Sequence, residues 1–339
     1  MSTELAAALF AGCGLIILVA GVRLTRTADE IAKGTRLGGA LTGAVIMGAV
    51  TSLSGIATSI AAAWQGHAEL ALSNAFGGIA AQTAFLCIAD ITYRRANLEH
   101  AAPSLTNLFN GVLLMTLLSL PLIAAVLPPV SYFAIHPVTP LILIVYGFGL
   151  RLAGKTYRQP MWGPAQTGAT AREDEDGPRL TRGRLVRLSA TVLGLGSVVA
   201  AAGYGIAESG IALSERLELS EGFVGASLTA VTTSLPELVT TIAAVRRGAL
   251  SLAVGGILGG NTFDVLFAVF SDVAYREGSI YHAIGPSQIF TILITILMVS
   301  ILLMGFLLRE RHGFGNIGFE STLMLLVYAF GLAMIGFVF

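Results

Sequence analysis

Thr51-Ser52-Leu53-Ser54-Gly55 and, 182 residues further on, Thr233-Ser234-Leu235-Pro236-Glu237 open the two stretches that decide how this chain is built. Laying residues 51–90 over 233–272 without a gap pairs fourteen of forty positions identically. The matches cluster: Thr58 with Thr240, Ile60-Ala61-Ala62 with Ile242-Ala243-Ala244, Gly66 with Gly248, Gly77-Gly78 with Gly259-Gly260, and Asp90 with Asp272. Small residues abound in membrane helices and inflate chance identity. An ungapped match across two helices and their connecting turn is still hard to obtain from that bias alone.

Composition supplies the setting for the repeat. Of 339 residues, 55% are hydrophobic and 12% charged, and mean hydropathy is +0.79, too little polar surface for a soluble domain of this length. The formal net charge is zero, and no basic face, zinc-type Cys/His spacing or aromatic RNA-binding motif is present, which argues against a nucleic-acid partner. Cys13 and Cys87 each stand alone in apolar stretches and read as packed free thiols. The chain opens with Glu4 ahead of an apolar run from Leu5 to Leu24, and Arg23 and Arg26 come at its end. That order fits a first transmembrane helix better than a secretory signal.

About 20 apolar residues cross a bilayer as helix. Windows of that kind fall at roughly 5–24, 38–63, 69–92, 105–127, 138–154, 186–207, 222–245, 249–274, 286–308 and 318–338. The expected fold is therefore an all-α polytopic membrane protein of ten transmembrane helices. A first five-helix repeat (1–156, with its alpha-repeat near 38–92) is joined by a solvated linker (157–184) to a second (185–339, alpha-repeat near 222–274). The linker carries Arg172-Glu173-Asp174-Glu175-Asp176.

Assigning loops to alternate sides puts eighteen of twenty Lys and Arg on one side, with Arg216 and Arg276 alone on the other. The positive-inside rule makes the basic side cytoplasmic and places both termini outside, in a cell membrane. An odd number of spans per half inverts the second repeat relative to the first, an architecture that puts substrate near the midplane where the repeats meet.

In the second repeat Pro236 interrupts the backbone ladder in mid-span, and Glu237 adds a carboxylate where charge is costly unless paired or solvated. One helix later, Gly259-Gly260-Asn261-Thr262-Phe263-Asp264 supplies an amide and a second intramembrane carboxylate. Hydroxyl, amide, carbonyl and carboxylate oxygens are the hard donors that Na⁺ and Ca²⁺ select. Asp90, Asp272 and Glu208 lie near span ends and are expected to be solvated at the interface. His136 reads as a loop residue, and Gly66 and Gly248 as tight-turn glycines.

The second-repeat residues, Gly225 through Thr233-Ser234-Leu235-Pro236-Glu237-Leu238 and Gly259 through Asp264, resemble the calcium/cation antiporter superfamily, the sodium/calcium exchanger membrane region. In that family each repeat carries Thr-Ser-x-Pro-Glu and Gly-Ser-Asn-x-x-Asn/Asp motifs, and the ten-span plan with outside termini resembles its prokaryotic members. Here Gly260 stands at the serine position. The first repeat departs further: Ser54-Gly55 replaces Pro-Glu, and Gly77-Gly78-Ile79-Ala80-Ala81-Gln82 replaces the second motif.

The resemblance implies secondary cation antiport, Na⁺/Ca²⁺ or Ca²⁺/H⁺, by alternating access. Glu237 and Asp264 would be carboxylate ligands, and Thr51, Ser52, Thr233, Ser234, Asn261 and Gln82 oxygen donors. With one glutamate where the family has two, a Ca²⁺ site should be weaker, which leaves a monovalent cation, another solute, or a non-transporting scaffold or regulatory role as alternatives. No metal-hydrolase motif, nucleophile elbow or phosphate loop argues for an enzyme, and the implied partners are the bilayer and small transported cations, with no cofactor.

Overall fold

The structure is a computed structural model; it describes residues 1–35, 48–93, 96–165, 167, 170, 180–311, 313 and 317–339, Lys33 and Thr35 by their backbone alone. The described residues are helical apart from turns, loops and an isolated bridge between Tyr132 and Ile135. Helix is what lipid demands, because a spanning backbone with no water must satisfy its own hydrogen bonds.

In chain order the helices are α1 (Thr3–Thr35), α2 (Leu53–Trp64), α3 (Ala68–Thr92), the short α4 (Leu98–Ala101), α5 (Leu105–Val126), α6 (Val138–Arg158), α7 (Arg182–Leu217), α8 (Glu221–Thr233), α9 (Leu235–Arg246), α10 (Leu250–Ala274), α11 (Pro286–Leu308) and α12 (Phe319–Phe337). Among the described residues eight helices are long and apolar enough to cross a membrane, or nine when α8 and α9, bent by 46°, count as one broken span. The expected second span, 38–63, lies partly outside the described residues; residues 48–51 and α2 are its helical remainder. The acidic run expected in the linker also lies outside them.

α3 and α10 form the centre. Their apolar windows are 83% and 72% buried, against 28% for α1 and 17% for α7, which leave most of their surface for lipid. α3 packs against α2, α8, α9, α10, α11 and α12, while α1 runs along α7. Gly66 and Gly248 close the α2–α3 and α9–α10 turns with φ of +87° and +80°, the left-handed region in which glycine carries no Cβ penalty. Arg216 at the end of α7 donates to the Met1 carbonyl at 3.1 Å, so the N-terminus shares an end of the bundle with that arginine.

Asp90 and Asp272 overturn the expectation of interfacial solvation. Both are fully buried. Asp90 accepts from Leu98 N (2.8 Å), Gly318 N (3.2 Å) and Ser321 Oγ (2.9 Å). Asp272 accepts from Ile280 N (3.1 Å), His136 N (2.8 Å) and Thr139 Oγ1 (2.5 Å). Every donor in one set lies 182 residues from its counterpart in the other. Each aspartate ties the end of its central helix to the start of α12 or α6, supplying acceptors for N–H groups that lack helical partners. His136 does lie in a loop, just ahead of α6, and is buried.

Candidate cation site

Two helix breaks define the site. Ser52 interrupts the helix between residues 48–51 and α2, and Ser234 interrupts it between α8 and α9. Their backbones nearly coincide, φ/ψ of −86°/6° and −94°/3°. In α9 the break has a covalent cause, since Pro236 at the first turn has no N–H to donate four residues back. In α2 the same break forms with Leu53-Ser54 and no proline. Just before Ser234, residues Val224–Thr229 form a π-helical turn inside α8, a local widening common at functional sites.

Across the breaks the two halves exchange hydrogen bonds. Ser52 Oγ donates to Asp264 Oδ1, and Gln82 Nε2 donates to Asp264 Oδ2 at 2.7 Å and more weakly to Ser234 Oγ at 3.4 Å. Ser54 Oγ donates to the Thr233 carbonyl, exposed by the second break, at 3.0 Å. Asn261 Nδ2 donates to Thr83 Oγ1 at 3.1 Å and to the Ile79 carbonyl at 3.4 Å. Ser52, Gln82, Ser234 and Asp264 thus meet in one network. Glu237, on α9 one turn after the break, is 8% exposed, and its Oε2 has no hydrogen-bond partner; neither has Asn261 Oδ1.

Two expected donors behave differently. Thr51 Oγ1 donates to Gly48 O at 3.2 Å, and Thr233 Oγ1 to Thr229 O at 2.9 Å and Ala230 O at 3.2 Å, all within their own helices. Their carbonyls, the Thr233 one above all, lie at the breaks. Gln82, expected to offer its amide oxygen, instead turns its nitrogen towards Asp264.

Thr83 enters the site without having been singled out in the sequence, and Ser54, read there only as a departure from the motif, bonds across the break; Tyr146 stands edge-on to Phe263 at 6.2 Å. Phe267 is the most consequential of the unforeseen residues. A Cβ built on Gly55 would stand 2.5 Å from Phe267 Cε2 and 3.1 Å from Cζ, so the ring of Phe267 occupies the space a larger residue at 55 would need. Gly55 is the counterpart of Glu237 at the offset of 182. Thr83 and Phe267 sit within the repeat, and only their place on the inward faces of α3 and α10 distinguishes them from packing residues.

Chemically, the site gathers two buried carboxylates, the hydroxyls of Ser52, Ser54, Thr83 and Ser234, two amides and the carbonyls of two broken helices. Among the described residues neither Glu237 nor Asp264 takes part in an ion pair. A charged side chain at a bilayer centre costs about 2.5–3.5 kcal/mol on insertion scales and persists where it faces a partner or an ion path.

The sequence matches the family described as sodium/calcium exchanger protein over residues 5–150 and 188–337. It is 33% identical over 127 residues to the sodium/calcium exchanger MaX1 of Methanosarcina acetivorans, a match spanning 36% of each chain. It is 26% identical over 272 residues to the putative antiporter CaxA of Alkalimonas amylolytica, covering 77% of this chain and 78% of that one. Among solved structures, the H⁺/Ca²⁺ exchanger CAX superposes with a TM-score of 0.69 at 14% identity, over 97% of this chain and 85% of its own. The sodium-calcium exchanger NCX_Mj superposes with 0.60 at 20% identity, over 98% and 99%. These likenesses are to the same multi-pass helical fold, and with both halves matched the chain belongs to the sodium/calcium exchanger family.

Proposed function

We propose that this protein is a secondary active cation antiporter whose carried ion occupies the space between the two helix breaks. The observation that carries the reading is the buried Glu237 oxygen without a partner, set beside an Asp264 carboxylate held by Ser52 and Gln82 from the other half of the chain. Asn261 contributes a second orphaned oxygen. Buried polar atoms without partners are uncommon, and a hard cation satisfies oxygens of this kind. The Thr51 and Thr233 carbonyls, the Ser52 and Ser234 hydroxyls and the Gln82 amide oxygen would complete its donor set.

The wider plan is two inverted five-helix repeats, 1–156 and 185–339, ten spans in all, with the linker 157–184 cytoplasmic and both termini outside. The constant offset of 182 supports it. That offset relates the two Thr-Ser breaks, the two aspartate frames and the Gln82–Asp264 and Ile79–Asn261 pairs, in which each residue meets its own counterpart. Such pairs belong on a pseudo-twofold axis. Alternating access would follow from α1 and α7, which are largely lipid-facing, moving relative to the central helices and uncovering the site to one side at a time.

The names of the relatives point to Ca²⁺ exchanged for Na⁺ or H⁺. A second reading, exchange of a monovalent cation, is favoured by the Phe267 ring at Gly55, which leaves the site two carboxylates where a second glutamate would make three. Both readings are tested by flux into proteoliposomes of purified protein, with ⁴⁵Ca²⁺ and ²²Na⁺ as tracers against imposed Na⁺ or H⁺ gradients. Gradient-driven uptake of either tracer supports antiport and chooses between the readings; no uptake of any cation under any gradient sinks it.

A further inference from the structure

Asp90, Glu99 and Glu320 bring carboxylate oxygens within 4.8 Å of one another, all three residues being buried. The site lies at the end of α3, in α4 and at the start of α12. Eight residues separate Asp90 from Gln82 along α3, a rise of about 12 Å. It is therefore a different place from the midplane site.

The repeat provides an internal control for this cluster. The Asp272 frame at the opposite end has the same backbone and hydroxyl donors, but Glu99 corresponds there to Tyr281 and Glu320 to Val138, both buried. A tyrosine and a valine fill those positions, so the frame itself does not require two more acids. Asp90 already has three donors. Glu99 Oε2 and Glu320 Oε1, by contrast, have no hydrogen-bond partner, although Glu99 is 3% and Glu320 1% exposed.

The surroundings make room for the acids, and Glu99 and Glu320 hydrogen-bond to each other through their other oxygens. A Cβ at Gly305 would lie 2.5 Å from Glu320 Cγ, and one at Gly318 would collide with Glu320 Oε1, so two glycines accommodate this single carboxylate. Arg309 donates to the carbonyls of Ala165 (2.7 Å) and His100 (3.1 Å). Among the described residues no ion pair reaches the cluster.

We propose that Glu99 and Glu320, oriented against Asp90, form a second cation site for a hard divalent ion such as Ca²⁺ or Mg²⁺, at the end of the bundle where the basic loops lie. Such ions take carboxylate oxygens, and two orphaned acceptors beside a third acid present them. A bound ion would tie α3, α4 and α12 together, so occupancy would stiffen this end of the molecule.

The test uses full-length protein carrying Glu237→Gln, in neutral-lipid nanodiscs, so that divalent binding at the midplane is weakened. ⁴⁵Ca²⁺ equilibrium binding and thermal unfolding with Ca²⁺ or Mg²⁺ are measured before and after adding Glu99→Tyr and Glu320→Val, which copy the opposite end. The expected result is one retained divalent ion per chain and a cation-dependent rise in Tm, with affinity at least tenfold weaker in the copied variant. If that variant does not fold, Glu99→Gln alone should weaken binding in the same direction. No divalent binding up to millimolar concentration, or binding unchanged by these substitutions, overturns the proposal. Flux of the otherwise wild-type protein is read separately: intact Glu237-dependent transport with no binding here would remove this site and leave the antiporter standing.

Discussion

Gln82 and Asp264 hold the same position in the two copies of the internal repeat, 182 residues apart, and the amide of the first donates a 2.7 Å hydrogen bond to the carboxylate of the second. One copy supplies an amide donor and the other a carboxyl acceptor, so two related helices meet face to face through a complementary pair and not through two acids. The remaining Asp264 oxygen is bound by Ser52. Asp264 is therefore oriented, while the Glu237 oxygen is not.

Replacing Gln82 by Leu should leave Asp264 with Ser52 as its remaining donor. Loss of one partner from a buried acceptor costs about 1–3 kcal/mol. A fall in Tm without cation, together with weaker cation saturation in flux assays, is the expected outcome. Unchanged values for both would show that the pair orients nothing.

Gly55→Glu should be poorly tolerated because of the Phe267 ring, overpacking of this kind costing about 1–3 kcal/mol. Residues in contact couple non-additively. Combining Gly55→Glu with Phe267→Ala should therefore destabilise by less than the sum of the two single changes. The double variant also gains a carboxylate, and its flux should shift towards Ca²⁺ over Na⁺. Competition of the two tracers in proteoliposomes reads this directly.

Asp272→Ala orphans His136 N and Ile280 N, each costing about 1–3 kcal/mol, and leaves Thr139 Oγ1 with the Tyr281 hydroxyl, 3.1 Å away, as its partner. Expression and Tm should fall sharply, while protein that still folds should keep its apparent cation affinity. Asp272→Asn retains an oxygen acceptor and should be milder on Tm. A changed affinity at normal Tm would instead place Asp272 in the transport path.

His136 predicts a pH effect on stability. Its Nδ1 accepts from Val138 N at 3.1 Å, which requires the neutral ring, and burial first, then neighbouring His282, push its pKa below the ordinary value, with Asp272 opposing. Since the folded value lies below the unfolded one, near 6.5, the stabilisation is present above that pH and lost as pH falls through the folded value. Tm should decline between pH 7 and pH 5. His136→Asn, whose oxygen can accept the same bond, should flatten that decline; an unaltered slope would assign it to other groups.

Much of the fold was legible in the sequence because apolar windows, proline and left-handed glycines act locally. The Thr-Ser breaks, Gly66 and Gly248 lie where the repeat placed them. Hydropathy does not encode which helix faces which. It reads Asp90 and Asp272 as interfacial from their place in the span, although their partners, Gly318 and His136, lie on helix starts more than a hundred residues away. Their match within the repeat was the available clue. The Gln82 amide and the Phe267 ring were hidden for a similar reason: residue type gives donor capacity and volume, while orientation comes from contact between halves.

The most direct test of the central claim is ion flux through purified protein in liposomes, comparing wild type with Glu237→Gln and Asp264→Asn. The account predicts gradient-driven cation uptake by wild type and its loss by at least tenfold in both variants, at wild-type folding and incorporation. Uptake at the wild-type rate with Glu237→Gln would contradict it.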